Sequence, residues 1–167
     1  MNPAEAKVVA DFLLADMAYE MQTTMGVLGA VPVGRMDYKP DEKSRTALGL
    51  VRHITLEDEW ILAGVADGKF VPPPDDSDAC GVMTPQDAVA RYKEKIPAAM
   101  DRVRALSGEQ LLRSLDLLGV IQMPAINFLS LALKHSVHHR GQLSSYFRAM
   151  GGKVPSIYGP TADMPKP

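Results

Sequence analysis

Apolar residues recur at intervals of three and four along four separate stretches of this chain, and no stretch reads as a strand with a matching partner. That period gathers the apolar side chains of each stretch on one stripe of an α-helix, so the chain must fold by packing helical stripes together. Val9, Phe12, Leu13, Met17, Met21 and Thr24 mark a first helix from about Pro3 to Leu28. Ala47, Leu50, Val51, Ile54, Ile61 and Val65 mark a second, from about Asp41 to Ala66, with Asp67-Gly68 as its stop. A third, from about Pro85 to Leu106, has Thr84 as N-cap, Pro85 at its first position and Asp87 near the positive end of its dipole. Pro97 falls inside its pattern of Val89, Tyr92, Ile96 and Val103 and should kink or divide it. Met123-Pro124 opens a fourth helix that runs to about Met150 and ends at Gly151-Gly152.

The segments between these helices are long. GAVPVGRMDYKPDEKS, before the second helix, reads as a connector crossing one end of the fold, and Phe70 to Met83 is a Pro- and Asp-rich loop. Ser107 to Gln122 is compatible with a helical turn, a short hairpin or an irregular crossing, and is read as mostly loop. Residues 151–167 carry four prolines and three glycines without periodicity and form a tail, with Ile157 and Tyr158 as its anchors. The expected fold is all-α: a four-helix bundle with long crossover connections and an irregular C-terminal tail, built as one domain over residues 1–167.

Composition narrows the function. A chain of 167 residues can bury roughly 70% of its unfolded surface without disulfides, and Cys80 is its single thiol. With 18 basic against 20 acidic side chains and no basic run, it is not built for nonspecific nucleic-acid binding. The N-terminus lacks the basic segment of a signal peptide, and the longest uncharged run, Leu117 to Leu133, is interrupted by Gln122, Pro124, Asn127 and Ser130. The expectation is a cytoplasmic protein whose partner is a small molecule or another protein.

Three of the four histidines, His135, His138 and His139, fall within one short stretch of the fourth helix. At 100° per residue, Phe128, Leu131, His139, Gln142 and Tyr146 all lie within about 40° of His135, so the histidines share the core stripe. Imidazoles at i and i+4 project from adjacent turns and can both reach one transition-metal ion at roughly 2.1 Å, a spacing that His135 and His139 meet. A lone histidine on an apolar face is usually a hydrogen-bonded core residue; a stacked pair reads either as two such residues or as two ligands of one metal ion. His53, at the edge of the second helix's stripe, is the natural third ligand, and Glu57 one turn later is a fourth ligand, a base or a solvated carboxylate. His138 points off the stripe, as a surface group or a support for the ligands. Gln142 can bond a metal-bound group or serve as a packing amide. Tyr146 reads as core with its hydroxyl at a rim. Arg140, about 140° from His135, reads as a surface or intersubunit ion pair.

The string His135-Ser-Val-His138-His139-Arg140-Gly141-Gln142 strongly resembles the closing H-x-x-H-H-R-G-Q motif of the DinB-like (DinB/YfiT) superfamily of metalloenzymes. LVRHITLEDEW around His53 is similar to that superfamily's second helix, and KVPSIYGPTADMP to its usual ending; only the histidine motif is specific. The resemblance implies a four-helix bundle in which His53, His135 and His139 bind a divalent transition metal, Zn, Ni, Mn or Fe. It also implies a homodimer and, from the characterised branches, chemistry on a low-molecular-weight thiol, as an S-transferase or a thiol-dependent isomerase. A metal-dependent hydrolase, a noncatalytic metal-binding bundle and an interaction protein with core histidines remain open beside it. Candidate catalytic groups are Gln142 and Glu57.

Overall fold

The computed structural model describes residues 1–164. Four long helices dominate: α1 (Pro3–Gly29), α2 (Ala47–Asp67), α3 (Pro85–Arg104) and α5 (Ala125–Tyr146). α1 packs against α3 and α5, and α2 packs against the same two. α1 and α2 therefore stand diagonally across the bundle, as do α3 and α5, and the connection within each of these two pairs crosses an end. This is the all-α four-helix bundle expected, with the crossovers supplied by the long connectors. None of the described helices is long and apolar enough to cross a membrane.

Local chemistry sets the helix ends. Asn2 and Glu5 form a reciprocal capping box at the start of α1, and Thr84 and Asp87 do the same for α3, with Pro3 and Pro85 in the first turn of each. α2 begins at Ala47 rather than near Asp41. The Asp41 carboxylate accepts from the Lys43 and Ser44 backbone N–H groups and so closes a turn, while Thr46 caps the helix by accepting from Gly49 N–H. Gly68, at φ 67°, ends α2 in the left-handed conformation. α3 runs unbroken through Pro97, because Tyr92, Ile96, Ala99, Met100 and Val103 bury its face on both sides of the missing N–H.

The stretch after α3 holds more structure than the loop expected there. It contains a short helix, α4 (Gly108–Leu112), and an antiparallel hairpin of β1 (Ser114–Asp116) and β2 (Gln122–Pro124), paired Ser114 to Pro124, Leu115 to Met123 and Asp116 to Gln122. Leu115 is the buried residue of β1 and anchors the hairpin to the bundle. The turn takes Leu118 and Gly119 to positive φ, strained for the leucine and free for the glycine. Periodicity could not reveal strands of three residues with one buried side chain. α4 meets the start of α1 so closely that a Cβ on Gly108 would lie 2.0 Å from the Pro3 carbonyl oxygen.

The core is one continuous cluster with Leu14, Leu28, Leu50, Ile54, Leu62, Phe128, Leu129 and Phe147 at its centre. After α5 a last turn to Met150 and Gly151, at φ 78°, release the tail. Ile157 packs against the core and Tyr158 donates to the Glu20 carboxylate at 2.9 Å, so both residues anchor the tail as expected. The final three residues of the expected tail lie outside the described residues.

Candidate metal centre

α2 and α5 are neighbours, and the turn of α2 carrying His53 faces the turns of α5 carrying His135 and His139. His53 Nε2 lies 3.1 Å from His139 Nε2 and 3.1 Å from His135 Nε2. One ligand atom from each of the three rings falls within 4.8 Å of the other two. The rings stand edge to face, with centroids 4.4 to 4.8 Å apart. Only 15% of the His53 side chain and 16% of that of His135 is exposed.

The outward nitrogens explain why this arrangement calls for a cation. The Asp58 carboxylate can only accept, so its Oδ1, 3.0 Å from His135 Nδ1, takes the proton carried there. Gln142 Oε1, 3.0 Å from His139 Nδ1, likewise accepts that ring's N–H. Both imidazoles are thereby fixed with a lone pair on Nε2, and both lone pairs are directed at His53 Nε2. A single N–H there can satisfy one of them, never both. A cation at about 2.1 Å from each nitrogen needs nitrogens roughly 3 to 4 Å apart, and both separations from His53 Nε2, 3.1 Å each, meet this. The donor set therefore fits a divalent transition metal.

Electrostatics agree. Burial, then the neighbouring His135 and His139, push the His53 imidazole down to about 3, so it is neutral across the physiological range. Burial also holds His139 below the usual histidine value. Three neutral imidazoles leave the full charge of a bound cation uncompensated within the ligand shell. Asp58, behind His135, supplies part of the compensation through a carboxylate–histidine pairing that orients and strengthens a ligand.

Asp58 is the site residue that the sequence reading missed. Its signal was present: it falls between Ile54 and Ile61 on the apolar stripe of α2, where an unpaired carboxylate would be costly. Glu57 stands 3.9 Å from His53 Nδ1, and its carboxylate is not among the converging ligand atoms. Burial raises its proton affinity above that of an ordinary glutamate. Gln142 holds His139. His138 is exposed and stacks its ring on His139, centroid to centroid 4.7 Å. Tyr146 is buried with its hydroxyl on the Arg45 carbonyl, 3.3 Å away, matching the core position expected. Cys80 sits in a helical turn of the Pro- and Asp-rich loop, its sulfur near the Val82 N–H.

Arg140 corrects its expectation. It does point away from the histidines, yet it is 1% exposed and no surface residue. Its guanidinium donates to the Glu20 carboxylate at 2.5 Å, to Thr24 Oγ1 at 3.1 Å and to the tail through Tyr158. The helical wheel gave its direction correctly; α1 and the tail, which cover that direction, lie outside any wheel.

Fold and site together define a helical bundle with a three-histidine cluster able to hold a metal. The sequence matches the DinB family over residues 7–166, and the chain belongs to that family. It is 32% identical over 117 residues to the uncharacterized protein YjoA of Bacillus subtilis (strain 168), covering 68% of this chain and 73% of YjoA. The crystal structure of a DinB-like protein from Bacillus cereus ATCC 10987 superposes with a TM-score of 0.72 at 23% identity, over 87% of this chain and 95% of that one. That of YjoA itself superposes at 0.66 and 22% identity, over 89% and 99%.

Proposed function

We propose that the chain is a metal-dependent enzyme that binds one divalent transition metal through His53, His135 and His139 and acts on a low-molecular-weight thiol, as an S-transferase or thiol-dependent isomerase. The observation that carries the metal is the convergence of three Nε2 atoms, two of them with their partner nitrogens already committed to Asp58 and Gln142. The thiol rests on the resemblance of the histidine motif. When bound, the cation supplies Lewis acidity and favours the ionised form of a thiol or a water at its open position.

The chain's own residues do the rest. Asp58 and Gln142 hold His135 and His139 in the tautomer that leaves Nε2 free. Glu57, half-buried, of raised proton affinity and 3.9 Å from His53 Nδ1, takes the role of base for the thiol proton in this reading. With only 15% of the His53 and 16% of the His135 side chain exposed, charge interactions at the rings are stronger than in bulk water. The protein works in a reducing cytoplasmic setting, on the strength of its single thiol, and as a homodimer. Val8, Phe12 and Tyr19, exposed along the outer face of α1, offer that dimer an apolar contact.

Metal analysis of protein purified without an affinity tag tests the first half: about one equivalent per chain is expected, and none would end the reading. A panel of thiols with an electrophile, run with and without chelator, tests the second. Turnover that chelation abolishes and metal restores is expected. Chelator-sensitive ester hydrolysis without thiol transfer would make the protein a hydrolase, and metal without any turnover would make it a binding bundle.

A further inference from the structure

A line of buried polar groups runs through the bundle from Arg140 to His135. Arg140 donates to Thr24 Oγ1 at 3.1 Å; Thr24 Oγ1 lies 3.3 Å from Ser136 Oγ; Ser136 Oγ lies 3.4 Å from the Tyr92 hydroxyl; and Tyr92 donates to Asp58 Oδ2 at 2.8 Å. The other oxygen of Asp58 takes the His135 Nδ1 proton. All of these side chains are buried apart from His135, which is half-buried, and no buried side-chain polar atom among the described residues lacks a partner.

The direction of the bonds follows from the two ends. A guanidinium can only donate and a carboxylate can only accept, while each hydroxyl between them has one proton. Tyr92 gives its proton to Asp58, so the Ser136–Tyr92 bond uses the Ser136 proton, the Thr24–Ser136 bond then uses the Thr24 proton, and Thr24 accepts from Arg140. The chain is one-way, and bonds in such a series polarise one another. At its end the Asp58 carboxylate is gripped on one oxygen and presents the other to His135.

We propose that Tyr92 is a positioning residue for the three-histidine centre, and that Arg140, through Thr24, Ser136 and Tyr92, sets the orientation of the Asp58 carboxylate that aligns His135. The inference rests on the metal reading above and goes beyond it. It gives α3, which contributes no ligand, a part in the site. It also gives Arg140, the arginine of the H-x-x-H-H-R-G-Q motif, a task on the far side of its helix, and accounts for a cation placed where burial is costly.

Cobalt(II) titration of the chelator-treated chain, followed by visible absorption, tests it. Tyr92→Phe keeps the buried ring and removes only the hydroxyl. It should weaken cobalt binding about tenfold and alter the visible band, as loss of a group supporting a metal ligand does. Ser136→Ala should weaken binding by a smaller factor and add nothing in the Tyr92→Phe background, since the two act in series. Unchanged affinity and spectrum in Tyr92→Phe would overturn the proposal, as would a lowered melting temperature with both unchanged. If Tyr92→Phe does not fold, Ser136→Ala decides alone: weaker binding supports the chain and equal binding refutes it. Wild-type protein that takes up no cobalt would refute the metal reading itself. Uptake that His135→Ala abolishes and Tyr92→Phe leaves intact would refute only the inference.

Discussion

Asp58 Oδ1 lies 3.0 Å from His135 Nδ1, and this contact fixes which nitrogen of the ring faces the centre. Asp58→Asn removes the charge and makes the accepting orientation one of two. The expected result is metal affinity weaker by 10- to 100-fold with the helical content unchanged, measured by competition against a chromophoric chelator. Affinity equal to wild type would show that Asp58 is only a core partner of Tyr92.

His139→Ala takes one of three converging nitrogens away. Metal content should fall from about one equivalent per chain to near zero after dialysis, and activity should fall with it. Retained stoichiometric metal would move the site elsewhere.

Glu57→Gln tests the proposed base apart from the ligands. Metal stoichiometry should be unchanged while the rate of thiol transfer drops by about a hundredfold or more, the usual loss for a general base. Equal rates would return Glu57 to the role of a half-buried neighbour of His53.

Acid should destabilise the metal-free protein. His53 has its folded value depressed to about 3, and His139 is depressed as well, while both regain ordinary histidine behaviour near 6.5 on unfolding. Between about pH 6.5 and 3 the unfolded chain holds more protons at His53, so stability is full above about pH 6.5 and falls with acidification toward pH 3, by up to about 1.4 kcal/mol per pH unit, and His139 adds in the same direction. Glu57, raised by burial, contributes with the opposite sign. Urea midpoints of chelated protein from pH 4 to 8 measure the balance, and a midpoint flat across this range would contradict it.

Arg140→Met would leave the Glu20 carboxylate buried without its cation. A loss of about 3–5 kcal/mol in unfolding free energy is expected from urea denaturation. A loss under 1 kcal/mol would mean that Tyr158 alone can satisfy Glu20.

Gly108→Ala probes the contact between α4 and the start of α1. The added methyl cannot fit against the Pro3 carbonyl, so the backbone must move, at a cost of about 1–3 kcal/mol. A melting temperature equal to wild type would show that this end of the bundle yields freely.

The local arrangements were legible in the residues themselves. Periods of three and four located the long helices, Thr84-Pro85 and Asp87 located the start of α3, and the four-residue spacing of His135 and His139 placed two imidazoles on one core-facing stripe. Each depends on neighbours within a turn or two, which is the range over which helix geometry is fixed. His53 on α2 was legible as their third partner, but the carboxylates behind these side chains were decided only by packing: Asp58 meets His135 across 77 positions, and Glu20 meets Arg140 across 120. The hairpin after α4 belongs with these, since Leu115 is buried only because the bundle end is there to receive it. A helical wheel says which way a side chain leaves its own axis, whereas the polar group that meets it depends on how neighbouring helices are turned and staggered. That follows from the whole core closing at once.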